Sequence, residues 1–374
     1  MAAFSFPTAP GEQFADFLRK SEQIKDERLA AAIPREYFTP RVWRGLLGFA
    51  VSWVVYLGAI IAMVFCPYWL DVPLLVLAGL GGWGLHCIGH DCGHGSFSRS
   101  RRLNSVIGQL SLLPLIYPYH AWRHVHNLHH AHTNNLELDT DWRPLPADQY
   151  DRMPLWKKAL YRGTRSWAFW GGTINYWRVS GFRPSFFPKK EMRRDVRRSI
   201  WVVLAFSAGY FPALVYFTGL RGLLLYFLLP WLFIHAWFST TTLMQHSASD
   251  VPYLTSEHWT KNAGRLLLTT DYRYPRWLLF LTHNISVHTA HHVAPPIPFY
   301  SLPKAQEALK QAYPGMIRER VINLRYLWCI VRQLRFYDTR SGFYTDAART
   351  PVTPGIEDRG GTEDGDRRFE RLAP

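Results

Sequence analysis

Cysteine is scarce in this chain. The 374 residues hold four, Cys66, Cys87, Cys92 and Cys329, and no two form a CxxC pair. That excludes zinc ribbons and fingers and the cysteine patterns of iron–sulfur ferredoxins. Four unpaired thiols fit a reducing cytoplasm or apolar packing. HExxH is absent too. The nearest stretch, HDCGH, carries Asp91 and Cys92 where a zinc protease needs its glutamate region. Acidic residues are outnumbered, 28 against 43 lysines and arginines, for a net charge of +15. Met1–Glu12 lacks the basic start and apolar core of a secretory signal peptide, so none is expected. No internal repeat is visible, which excludes repeat architectures.

Histidine, in contrast, is clustered. HDCGH places His90 and His94 four apart, HNLHH holds His126, His129 and His130, and HTAHH holds His288, His291 and His292. On a helix, residues three and four apart share a face, with Cβ atoms about 5–6 Å apart. An i, i+4 pair therefore chelates one ion from one turn. The HxxHH form puts two imidazoles on one face and a third one residue around, able to reach a neighbouring ion. Eight imidazoles exceed the needs of one ion, so the economical reading is a two-metal site. Nitrogen-rich ligation suits zinc, copper, iron and nickel alike. A ligating histidine usually donates its other N–H to a carboxylate or carbonyl, and Asp91, Asp139 and Asp141 lie close enough in sequence to serve. His86, His120, His124, His132, His235, His258 and His283 read as structural or supporting residues.

Charge-free apolar runs occupy four stretches, about residues 45–66, 72–89, 200–219 and 222–243. Each approaches the length of about 20 apolar residues that crosses a bilayer. The expected fold is an all-α integral membrane protein with four transmembrane helices in two hairpins. A cytoplasmic helical cap would hold the dinuclear metal site. Val106–Tyr117 is too short to cross and reads as interfacial or re-entrant. Lysine and arginine crowd the N-terminal segment and the stretch between the second and third spans, for example Lys157, Lys158, Arg193, Arg194, Arg197 and Arg198. The positive-inside rule then places both termini, the middle loop and all three clusters in the cytoplasm. Basic loops beside spans set orientation, so nucleic acid is not an expected partner. Anionic headgroups and an acidic protein partner are. The organisation reads as a cytoplasmic N-terminal segment (1–43), a membrane domain (44–346, with cap segments 90–199 and 244–346) and a tail (347–374) of disordered composition. Lys304–Gln311 and Met316–Phe336 show helical spacing within the cap.

Four stretches together resemble the membrane fatty acid desaturases: GHDCGHGSF (Gly89–Phe97), YHAWRHVHNLHHAHTNNLELDTDW (Tyr119–Trp142), DYRYPRW (Asp271–Trp277) and HNISVHTAHHVAPPIPFYSL (His283–Leu302). The chain is most similar to the acyl-lipid Δ12 (omega-6) branch of cyanobacteria and plastids, over roughly Leu46 to Tyr313. The resemblance implies two ferrous ions, O2-dependent insertion of a cis double bond into a fatty acyl lipid, and a monoene-to-diene conversion. It maps the metal ligands onto His90, His94, His126, His129, His130, His288, His291 and His292, with His246 as a ninth. It implies Asn284 near one metal through water, and His283 occupies a position the branch shares. Electrons must come from outside. Without an HPGG haem motif of a fused cytochrome b5, a separate ferredoxin is the expected donor, with cytochrome b5 as the alternative. The bacterial inner membrane is the expected location. Hydroxylases, ketolases and epoxygenases share the same clusters, so an oxygen-inserting lipid enzyme is the alternative function.

Overall fold

The computed structural model describes residues 10–339 and 341–352, and these are predominantly helical. Three helical segments are long and apolar enough to cross a membrane: Val42–Phe65, Tyr68–His94 and Lys190–His246. The first turns large apolar side chains outward, with Val54 71% and Phe65 82% exposed. In a water-soluble protein such a surface would be a liability; against lipid it is not. The second is buried along its C-terminal half, between the first segment, the helix Leu229–His246 and the helix Arg101–Leu112. Glycines make that packing close. A Cβ on Gly81 would stand 2.6 Å from the Tyr56 backbone nitrogen, and one on Gly79 would stand 3.0 Å from the Phe233 backbone carbon.

The third segment is not one rod. Its 57 residues would reach about 85 Å at 1.5 Å per residue, against a hydrocarbon core of about 30 Å. Gly219 breaks the helix, with φ 66° and ψ −172°. This is a backbone conformation that glycine adopts without a Cβ clash. The chain reverses there, bringing the Phe211 and Phe227 rings to 4.7 Å and Tyr210 and Phe227 to 6.1 Å.

Val106–Tyr117 falls in the helix Arg101–Leu112 and the turn after it. Ser100 caps this helix by accepting the Leu103 N–H, and Ile107, Gly108 and Leu112 are buried. Above the long helices, Phe17, Ile24, Leu29 and Ile33 of the N-terminal segment share a core with Ala290, Val293 and Ala294 beside the third histidine cluster and with Leu302 and Leu309.

The all-α expectation needs two corrections. Asp271–Arg273 pairs in parallel with Glu319–Val321, and Phe336–Asp338 pairs antiparallel with Phe343–Thr345. The expected helix over Met316–Phe336 is therefore a strand followed by a shorter helix, Leu324–Gln333. In extended chain, alternate side chains face the same way. Arg318 and Arg320 both reach Asp250, at 2.8 and 2.9 Å, which a helix would not allow them to do side by side. Residues 347–352, expected to open the tail, pack on the rest of the fold. Val352 is buried and donates its N–H to the Tyr344 carbonyl, and Arg349 pairs with Asp151 at 2.7 Å. The rest of the expected tail, 353–374, lies outside the described residues.

Candidate metal centre

Four helices supply the histidines. His90 and His94 end the second membrane helix, Asp71–His94. His126, His129 and His130 lie on Tyr119–Ala131, His246 closes Leu229–His246, and His288, His291 and His292 lie on the short helix His288–Val293. All nine converge. His90, His94, His126, His130 and His291 form one group whose ligand nitrogens lie within 4.8 Å of one another. His129, His246 and His292 form a second, equally tight group. His288 joins the second, its Nε2 lying 2.8 Å from His246 Nε2 and 2.9 Å from His292 Nε2. The groups adjoin, with the His130 and His292 rings stacked at 4.0 Å.

The nitrogens do not form an ordinary hydrogen-bond network. The His129 Nδ1–H donates to Asp139 Oδ1 at 2.8 Å, which leaves a lone pair on Nε2. Thr133 gives its hydroxyl proton to the His129 carbonyl, so the Thr133 oxygen accepts from His292 Nδ1–H at 3.1 Å. That leaves a lone pair on His292 Nε2 as well. Yet His129 Nε2 lies 3.1 Å from His246 Nε2, and in the other group His130 Nε2 lies 3.0 Å from His126 Nε2 and 3.1 Å from His291 Nε2. With no proton on Nε2 of His129 or His292, at most two protons serve the three contacts His129–His246, His246–His288 and His288–His292, so one pair of nitrogens meets with no hydrogen bond between them, which a cation there would relieve. With metal–nitrogen bonds of about 2.1 Å, adjacent positions of an octahedron are about 3.0 Å apart, as observed. Burial holds His126, His130, His288, His291 and His292 well below the ordinary histidine pKa, in the neutral form that ligates. The residues fit two metal ions.

Of the expected supporting residues, Asp139 is in place. Its Oδ2 also accepts the Asn134 N–H at 2.6 Å, and Oδ1 the Asp141 N–H at 3.0 Å, so the carboxylate is fixed from three sides. Asp91 is turned to the Phe299 N–H at 2.9 Å, with His90 Nδ1 at 3.9 Å. The Asp141 carboxyl is pushed up to about 6 by burial. It faces a narrow cavity of about 50 Å³ against His126 and His129, walled by Tyr117, Trp122, Tyr176 and Phe238. His283 bonds Ser52 Oγ at 2.8 Å, and Asn284 donates to the carbonyl of Phe299 at 3.1 Å, the residue whose N–H meets Asp91.

Sequence reasoning missed Thr133 and Asp271. The Asp271 carboxylate accepts the backbone N–H groups of His288 and Thr289, the Thr289 hydroxyl and the Gln306 amide, and so holds the third cluster's helix from its N-terminus. Burial pushes it up to about 6 against these bonds. Its only signal in the sequence is a carboxylate opening the DYRYPRW stretch.

Residues 67–320 match the family model for fatty acid desaturases. The chain belongs to the fatty acid desaturase family. It is therefore an oxidoreductase, and fatty acyl desaturation is its activity. It is 33% identical to the sn-1 oleoyl-lipid 12-desaturase of Synechocystis sp., over 91% of this chain and 94% of that protein. It is 34% identical to the chloroplastic omega-6 fatty acid desaturase of Glycine max, over 85% of this chain and 74% of the relative. Over 65% of this chain and 69% of the relative it is 37% identical to the sn-1 oleoyl-lipid 12-desaturase of Arthrospira platensis. In this desaturase His90, His94 and His246 close helices of segments able to cross a membrane, so both histidine groups adjoin an apolar phase.

Proposed function

We propose that this desaturase converts an oleoyl-type monoene of a membrane lipid to a diene by inserting a cis double bond at Δ12 (omega-6). The convergence of nine histidines into two adjacent groups carries the reading, and the names of the relatives supply the position. His90, His94, His126, His130 and His291 would hold one iron, and His129, His246, His288 and His292 the other. When bound, the irons supply activation of O2 and removal of two hydrogens from adjacent methylenes. Two electrons and two protons complete the balance to two waters.

The protein's own contribution is orientation. Asp139 and Thr133 fix the tautomers of His129 and His292, so that Nε2 faces inward. Asp271 anchors the helix that carries three of the nine. The small cavity walled by Tyr117, Trp122 and Phe238 beside His126 and His129 has room for only one or two methylenes of a chain, which would hold the reacting carbons in place, since displacement by about 1 Å from the reacting geometry costs rate heavily.

The architecture we favour is four spans in two hairpins, with the reversal at Gly219 dividing the longest segment. The basic loops argue for both termini and the metal groups on the cytoplasmic side of a bacterial inner membrane. Domain limits of 1–43 and 44–346 follow from that arrangement, the latter extended to at least Val352 by its packing. A ferredoxin is the donor we favour over cytochrome b5, its acidic surface matching the basic face.

The test is expression in a bacterium that makes monoenes but no dienes, with a ferredoxin and its reductase. A Δ12 diene, located by mass spectrometry and absent with His291→Ala, is the expected result. Unchanged lipids from membrane-inserted, iron-loaded protein would overturn the assignment.

A further inference from the structure

The helix Leu324–Gln333 is apolar on both sides. Tyr326, Cys329 and Ile330 are buried, and Tyr326 and Ile330 share a cluster with Leu243 and Met244 at the end of the last long helix. Opposite them, Leu324 is 83% and Trp328 59% exposed, with Leu327 and Val331 half-buried beside them. These four recur at i, i+3, i+4 and i+7, one stripe of a helix. Across a groove of about 610 Å³ stand Trp167 and Phe169, and Trp167 is 78% exposed. The helix Leu155–Thr164, just before Trp167, adds Leu155 at 83% and Trp156 at 63% exposure. Cations edge this surface: Arg332 lies over the Trp328 ring at 5.5 Å and Lys157 over Trp156 at 5.4 Å, with Arg325 exposed alongside.

We propose that Leu324–Gln333, Trp167 and Leu155–Thr164 form a platform that lies in the headgroup region of an anionic bilayer, separate from the membrane-crossing helices. Three observations select lipid as the occupant. The helix packs its buried face on Leu243 and Met244 at the end of the last long helix, so it lies directly beside a segment able to cross the membrane. Trp277 and Phe280, 60% and 62% exposed on either side of Leu278 in that same cluster, extend the belt. Tryptophan with flanking arginine and lysine is the composition that an interface of apolar tails and anionic headgroups favours.

Spin labels in nanodiscs test this. With Cys66 replaced by serine, the remaining cysteines are buried. Single labels are placed at Leu324→Cys and Trp328→Cys, at Val54→Cys as a lipid-facing control, and at Glu22→Cys, whose side chain is 71% exposed, as an aqueous control. In phosphatidylglycerol discs the labels at 324 and 328 should collide with oxygen more than with a water-soluble nickel complex, as at 54 and opposite to 22. In phosphatidylcholine discs, or with Arg325→Gln and Arg332→Gln together, they should shift toward nickel. Nickel-dominated collisions in both lipids would overturn the proposal, as would oxygen-dominated collisions that ignore lipid charge. Protection from both reagents together with a doubled particle mass would mark a second copy instead. The control at 54 reads the membrane location of the desaturase independently, so the platform can fail while that stands.

Discussion

Thr133 offers the sharpest test of how the second metal group is oriented. It is 1% exposed, and its hydroxyl spends its proton on the His129 carbonyl while its oxygen accepts from His292 Nδ1–H. Thr133→Val keeps the shape and removes both functions. The His292 Nδ1–H is then a buried donor with nothing to meet, which costs about 1–3 kcal/mol. The imidazole can escape by moving its proton to Nε2, the nitrogen that must face the metal. Either route weakens metal binding at the second group, by about 10–100-fold on the pattern of outer partners of ligating histidines. Folding of the metal-free protein should lose only about 1 kcal/mol, one ordinary hydrogen bond. The assay is iron content of the purified protein across a chelator series, with thermal unfolding of the metal-free form alongside. Thr133→Ser retains the hydroxyl and should bind like the parent. An unchanged chelator midpoint in the valine variant, or a serine variant as weak as the valine one, would refute the argument.

Asp250 and Gly81 give two further predictions. Burial raises the Asp250 pKa, but Arg318 and Arg320 outweigh it and hold the carboxyl down to about 2. A depressed folded pKa contributes stability above the unfolded value of about 3.9 and loses it as pH falls toward 2. Asp250→Asn should therefore cost on the order of 2 kcal/mol at neutral pH, and the difference from the parent should shrink between about pH 4 and 2 in denaturant titrations. At Gly81, an added Cβ meets backbone of the first membrane helix, whereas at Gly58 it meets nothing within 4 Å. Gly81→Ala should destabilise by about 1–3 kcal/mol through overpacking. Gly58→Ala should gain up to about 1 kcal/mol of helix propensity, and melting in detergent distinguishes the two.

Much of the metal centre is legible in the chain because chelation by i, i+4 pairs is a local property of helices. His90 with His94, His126 with His130 and His288 with His292 each stay in one group, as their shared faces require. The remaining histidines, His129 and His291, cross to the other group. That crossing depends on how helices are set against one another, which no single stretch encodes. Apolar run length likewise marks the membrane segments, since the thickness to be crossed is fixed from outside the protein. Thr133, Asp271 and the strand at Glu319–Val321 escape such reading. Each is defined by a partner far along the chain: His292, the backbone of the third cluster, and Asp271–Arg273. By itself the sequence determined the ligand type, the paired spacing and the apolar phase beside them, all set by local geometry and composition. Only the tertiary structure decided which imidazoles fall into one group, which residues orient His129 and His292 and which apolar faces remain uncovered, because those depend on contacts between distant residues.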